Sequence, residues 1–236
     1  MKQLSKILML GDSVLKGIQV DEEAHRYVPK NDMELPALEA EFGLTIENKS
    51  RFGATSCNGE TLLRRFLDKG AHWDAVVMDF GGNECNYDWA KVAADPNGEH
   101  FPAVTPADFA ENYRRLIRTV KEQDMTPILM TLPPLIPQRF FDWWCADLDQ
   151  EAVKQWLGDP CNIYAHQERY SRAVEKLAWE EQVPLVDVRG EFLNHGHLGE
   201  LMCVDGTHPN SAGQKLIAKA FRDYGHKLLG HDLEIA

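Results

Sequence analysis

The chain has 236 residues, 44% apolar and 26% charged, with 37 acidic against 25 basic side chains and a formal charge of −12. That length and balance supply a substantial core for one large domain and exclude a disordered chain, a collagen-like fibre and a small disulfide scaffold. The acidic surplus repels phosphate backbones and anionic headgroups, so neither nucleic acid nor a membrane surface is an expected partner.

In chain order, the apolar run at 7–10 predicts a buried strand ended by Gly11, and 44–48 a weaker second strand. A helix is expected over 59–67. A third strand at 75–78, entered from Asp74, stops at Gly81-Gly82. Thr105, Pro106 and Asp108 give a cap residue, a first-turn proline and a first-turn acid. Phe109, Tyr113, Leu116, Ile117 and Val120 follow at helical spacing. A fourth strand at 127–132, a long helix at 163–179 and a fifth strand at 184–188 come next. Ser211 and Gln214 then predict a capping box for a final helix carrying Leu216, Ile217 and Phe221.

This alternation implies an α/β fold with a mostly parallel sheet covered on both faces. Ligands bind such sheets beyond the carboxyl ends of the strands, where the strand order switches. The whole chain, 1–236, is expected to form one domain with additions at 84–104 and 133–160. The second addition carries Phe140, Phe141, Trp143, Trp144 and Trp156. Its consecutive aromatics cannot all face one pocket, so a flap with its own core, or a dimer face, is favoured over a substrate wall. A homo-oligomer therefore stays open.

The longest apolar run near the start, Ile7-Leu8-Met9-Leu10, is too short for a signal-peptide core or a membrane span. The five cysteines (Cys57, Cys85, Cys145, Cys161, Cys203) are odd in number and include no C-x-x-C pair. They suit reduced thiols, and the expected location is the cytoplasm. Their spacing fits no metal site, and His195-Gly196-His197 lacks a third ligand and reads as a solvated loop. No metal and no cofactor is expected.

Four polar blocks carry the chemistry. Gly11-Asp12-Ser13 follows the first strand and is expected to open a helix, whose dipole and free N–H groups suit a nucleophile that creates an oxyanion. Taken alone, it reads more readily as a helix-capping serine beside a turn. Asp205-Gly206-Thr207-His208 places a carboxylate and an imidazole three residues apart, close enough to hydrogen-bond and leave the other ring nitrogen for a serine. A turn cap beside a solvated histidine explains it equally well. In Gly81-Gly82-Asn83-Glu84, the Asn83 amide can donate to an oxyanion. In Arg51-Phe52-Gly53-Ala54-Thr55-Ser56, Gly53 can present a backbone N–H.

Together, in this order and at these strand ends, the blocks resemble the GDSL/SGNH hydrolase superfamily. The resemblance runs from Ile7 to the final helix. It implies a three-layer α/β/α sandwich with a flavodoxin-like parallel sheet of about five strands. It also implies a serine esterase: Ser13 as nucleophile, His208 and Asp205 completing the triad, and Ser13 N–H, Gly53 N–H and Asn83 forming the oxyanion hole. Gly59 competes with Gly53 for its role. Two departures stand out: Glu84 where the family often has Asp, and Val14 where it has Leu. The expected substrate is a small-molecule ester with a small acyl group, such as the O-acetyl of a sugar or metabolite. Asp12 is expected to order the nucleophile turn. Asp12, Glu84, Tyr87, Trp89, Phe140, Trp143 and Trp144 are the candidates for touching substrate. A metal-dependent phosphoesterase and a non-catalytic flavodoxin-like ligand-binding module are the rival readings. No phosphate-binding G-x-x-x-x-G-K-[ST] loop and no G-x-S-x-G elbow occurs.

Overall fold

The protein is described here by a computed structural model covering residues 4–228. Five strands, β1 (Lys6–Gly11), β4 (Thr45–Asn48), β5 (Ala75–Asp79), β6 (Thr126–Met130) and β7 (Leu185–Val186), form one sheet in the order β4-β1-β5-β6-β7. Every pairing in it is parallel. Alternating side chains feed two separate cores, as the two-residue strand period requires. Leu8, Leu10, Val76, Met78 and Leu129 enter one core with helices α2 (Ser56–Leu67), α4 (Pro106–Lys121) and α7 (Cys161–Glu180). Met9, Val77, Ile128, Met130 and Val186 enter the other with α1 (Leu35–Phe42), α8 (Val188–His195) and α9 (Ser211–Leu228). The result is a three-layer α/β/α sandwich.

Helix α4 shows why the sequence pattern worked. Thr105 caps it through Asp108 N–H at 3.2 Å, Pro106 opens it, and the expected apolar stripe is fully buried. Each such side chain contributes about 1.5–3 kcal/mol on leaving water.

Three expectations change. No helix follows Ser13: Lys16 N–H donates to Asp12 O at 3.1 Å, one turn closes, and the chain enters a hairpin of β2 (Ile18–Asp21) and β3 (Arg26–Pro29). Gly17 stops the turn with φ +73°, where an added Cβ would lie 2.4 Å from Lys30 O. The final helix is capped one residue earlier than expected, by Asn210, whose Oδ1 accepts from Ala212 and Gly213 N–H at 2.9 and 3.1 Å. Gln214 instead ties that helix to the nucleophile segment, donating to Val14 O at 3.0 Å, and Ser211 donates to Asp32 Oδ2, just after the hairpin, at 2.6 Å. The fifth strand is only two residues long.

The segments 84–104 and 133–160 contribute α3 (Trp89–Ala94), α5 (Pro137–Trp144) and α6 (Gln150–Leu157). Their Trp89, Val92, Phe140, Phe141 and Val153 form a third apolar cluster with Ile163 of α7. Among the described residues no helix is long and apolar enough to cross a membrane.

Candidate active site

From β1 the chain passes to β4 on one side of the sheet and then to β5 on the other, so the order switches at β1. The carboxyl ends of β1 and β5 therefore open a crevice. Ser13 follows β1 and Asn83 follows β5. The loop before α9 brings His208 to the same place: its Nε2 lies 2.9 Å from Ser13 Oγ and its Nδ1 lies 2.5 Å from Asp205 Oδ2. Asp205 Oδ1 accepts the Thr207 and His208 backbone N–H groups, each at 3.2 Å, which locks the loop. Gly206 makes this fold-back possible, with φ +71° and an added Cβ only 2.6 Å from Ile136 O and from Phe140 N. The chain is shielded from bulk water, with Ser13 8%, His208 4% and Asp205 0% exposed.

The backbone N–H groups of Ser13 and Gly53 donate to no acceptor among the described residues. Gly59 N–H is consumed inside α2, donating to Thr55 O at 2.9 Å, so only Gly53 of the two glycines keeps a free donor. Asn83 Nδ2 donates to Ala54 O at 2.9 Å and to Asp12 Oδ2 at 3.2 Å. The longer bond is the one a developing oxyanion can replace. Asp12 orders the turn as expected, its Oδ1 accepting Val14 N–H at 2.8 Å, and it also orients Asn83.

This arrangement can pass a proton from hydroxyl to imidazole while backbone and amide donors wait nearby. A model of the GDSL-like lipase/acylhydrolase family matches residues 9–216. The chain belongs to that family. Among solved structures it is similar to a lipase/acylhydrolase from Enterococcus faecalis at 20% identity, covering 95% of this chain and 97% of that one with a TM-score of 0.62. It is similar also to a carbohydrate acetylesterase from Sinorhizobium meliloti at 17% identity, covering 95% and 99% with a TM-score of 0.67. A Geobacillus acetyl-xylooligosaccharide esterase aligns at 22% identity over 94% of each chain with a TM-score of 0.63. No curated protein matches. At these identities the structures share the fold, and the triad and oxyanion hole are features of the GDSL family as a whole.

The aromatic candidates divide. Trp144 and Phe140 line the cavity at Ser13, with Phe52, Leu132 and Gln167. Tyr87 and Trp89 line a second, larger cavity next to it, and Phe140 borders both. Trp143 lines neither; its Nε1 donates to Tyr27 Oη at 3.0 Å. Glu84 sits beneath the site rather than in it, because it is fully buried and its Oε1 and Oε2 accept Ser56 and Gly81 N–H at 2.6 and 3.0 Å. It thereby clamps the start of α2 to the Asn83 turn. Two residues not singled out from the sequence complete the surroundings: Tyr27 and Phe52, whose rings lie 5.0 and 6.0 Å from the His208 ring. Phe52 adjoins Gly53, but Tyr27 comes from the hairpin, which the sequence did not announce.

Burial, with the negative charge of Glu84 adding to it, raises Asp12 from 3.8 to about 7 against the pull of the Val14 N–H. Burial and Asp12 likewise hold Asp79 well above the ordinary range, and burial raises Glu84. These acids keep their protons longer in the folded chain than in the unfolded one. Stability is then greatest below the unfolded values and falls as pH rises toward the folded ones, through about pH 4 to 7 for Asp12. The Asp79→Asn variant should lose less Tm than the parent as pH rises from the acid range to above neutrality. Thermal unfolding across that range checks this; parallel curves would contradict it.

Proposed function

We propose that the chain is a serine esterase that removes short acyl groups from a small-molecule alcohol. The observation that carries this is the buried relay from Ser13 Oγ through His208 to Asp205, with steps of 2.9 and 2.5 Å. With the Nδ1 proton donated to Asp205, His208 Nε2 accepts the Ser13 proton as Oγ bonds to the ester carbonyl carbon. The N–H groups of Ser13 and Gly53 and the Asn83 amide receive the oxyanion, each such donor being worth about 10²–10³ in turnover. His208 then gives the proton to the departing alcohol, leaving an acyl group on Ser13. Water, deprotonated by His208 in its turn, releases the carboxylic acid and restores the hydroxyl.

The metal-centred reading would have to break this relay, because both ring nitrogens of His208 are engaged by Ser13 and Asp205. Its need for several converging ligands also sits poorly with Glu84, whose carboxylate serves the backbone of two loops.

Acyl size follows from space. The cavity at Ser13 measures about 90 Å³, roughly three waters at about 30 Å³ each. An acetyl group fits such a volume, and a longer acyl chain would have to leave it for the neighbouring cavity that the leaving group needs. The acetylesterase activities named for two similar structures point the same way. Across a chain-length series of 4-nitrophenyl esters, kcat/KM should be highest for acetate and fall by about tenfold or more by octanoate, at about 1–3 kcal/mol per poorly fitting group. Fastest turnover on long chains would overturn the small-acyl assignment.

A further inference from the structure

We infer that the cavity beside the catalytic one holds the alcohol half of the ester, and that this half is a sugar ring bearing a negative charge. The inference rests on the esterase reading above and adds the identity of the leaving group. The two cavities share Gly82, Asn86, Phe140, Gln167 and Thr207, so an ester carbonyl at Ser13 can extend an arm directly into the second one. That second cavity measures about 340 Å³. It has room for one sugar ring and a few waters, at about 30 Å³ per water.

Its lining combines ring surfaces with polar groups. Tyr87 and Trp156, both half-buried, supply aromatic surface on which the C–H faces of a sugar ring can pack, while Trp89 borders the cavity as a buried side chain. Tyr87 is braced by Trp156, with centroids 5.0 Å apart, and by His166, whose Nδ1 lies 3.3 Å from the phenol oxygen. Asn86 stands where the cavities join. Its Oδ1 accepts from Trp89 Nε1 at 2.9 Å and Tyr87 N at 3.1 Å, which fixes the amide and leaves Nδ2 as a donor without an acceptor among the described residues. A hydrocarbon arm would strip water from that donor and leave it unpaired, whereas a hydroxyl would replace the water.

Charge decides the rest. No Asp or Glu lines this cavity, although the chain as a whole carries 37 acids and a charge of −12. Arg169 does line it, and its guanidinium has no ion pair or hydrogen bond among the described residues. Asn162, His166 and Arg169 recur along α7 at helical spacing and reach the same cavity. Burial, helped by the Arg169 charge, holds His166 below the ordinary histidine range, so Arg169 is the cation there. An unpaired guanidinium at the rim of an acid-free cavity selects an anion, and its planar fork suits a carboxylate or a phosphate equally.

The test uses the full-length protein and three monoacetylated probes: methyl glucoside, methyl glucuronide and glucose 6-phosphate, with acetate release as the readout. At low salt, kcat/KM for at least one charged probe should exceed that for the neutral glucoside by about tenfold, and the gap should narrow as salt is added. Which charged probe wins separates carboxylate from phosphate. Arg169→Glu should bring the ratio to one or below, while Arg169→Lys should keep part of it. A merely structural role for Arg169 would lower charged and neutral probes together and leave the ratio unchanged. A ratio of one in the parent enzyme, or an unchanged ratio in Arg169→Glu, overturns the inference. If Ser13→Ala releases acetate from the probes within about a hundredfold of the parent rate, the esterase reading itself fails; a ratio of one with Ser13-dependent turnover removes only the leaving-group assignment.

Discussion

Replacing Ser13 by Ala is expected to lower kcat for 4-nitrophenyl acetate on the order of 10⁶-fold, the loss typical of removing the nucleophile of an acyl-transfer triad. The hydroxyl stands at the end of the His208 relay, 2.9 Å from Nε2, and among the described residues no thiol lines the cavity there. Residual turnover from the oxyanion donors and from binding should remain measurable above the uncatalysed rate. The fold should persist: one hydroxyl is lost from a site that is already 8% exposed, so Tm should move by only a few degrees. Activity within about a hundredfold of the parent, in a variant of unchanged thermal stability, would remove Ser13 from the chemistry.

The second large effect is expected of Asp205→Asn, on the order of 10⁴ in kcat with KM little changed. Asp205 is fully buried and holds His208 Nδ1 at 2.5 Å, while its other oxygen accepts two backbone N–H groups. An asparagine keeps the shape and can still accept those backbone donors through its oxygen. Its amide would then face Nδ1 as a donor, force the proton onto Nε2 and leave the imidazole unable to accept from Ser13. The substitution also removes the charge that stabilises the imidazolium. Steady-state kinetics and thermal unfolding on one preparation separate this from misfolding: a large fall in kcat with an intact transition is expected, and a fall in KM-dependent binding alone would contradict it.

The parts of the fold that could be read from the residues are those where one physical demand dominates. Ala75-Val76-Val77-Met78 is buried on both faces and could hardly be anything but an inner strand. Phe109, Tyr113, Leu116, Ile117 and Val120 form a stripe whose period leaves one solution. Ser13, Asn83, Asp205 and His208 stood out only in combination, through the resemblance that their blocks carry together, because each block alone also reads as a turn or a cap; the fold brings them to one crevice. The hairpin after Ser13 was not, because Gly11-Asp12-Ser13 suits either a helix start or a tight turn, and the choice falls to Gly17 against Lys30. Glu84 misled by adjacency: following Asn83 in sequence, it points into the protein to bind two loops. The second cavity was hidden for the same reason that α7 was easy to see. Asn162, His166 and Arg169 occupy positions that read as the wet face of an amphipathic helix, and α3, α5 and α6 of the added segments turn that face into a wall.

A covalent acyl intermediate at Ser13 is the step that the proposed mechanism requires. Mixing the protein with 4-nitrophenyl acetate, quenching in acid within the first turnover and mapping the peptides by mass tests this directly. The expected result is a burst of nitrophenolate approaching one equivalent per chain, with an added acetyl group on the peptide carrying Ser13 and none on that peptide in Asp205→Asn over the same interval. Full turnover with no acetylated peptide, or with the acetyl group on Cys57 or another side chain, would contradict it.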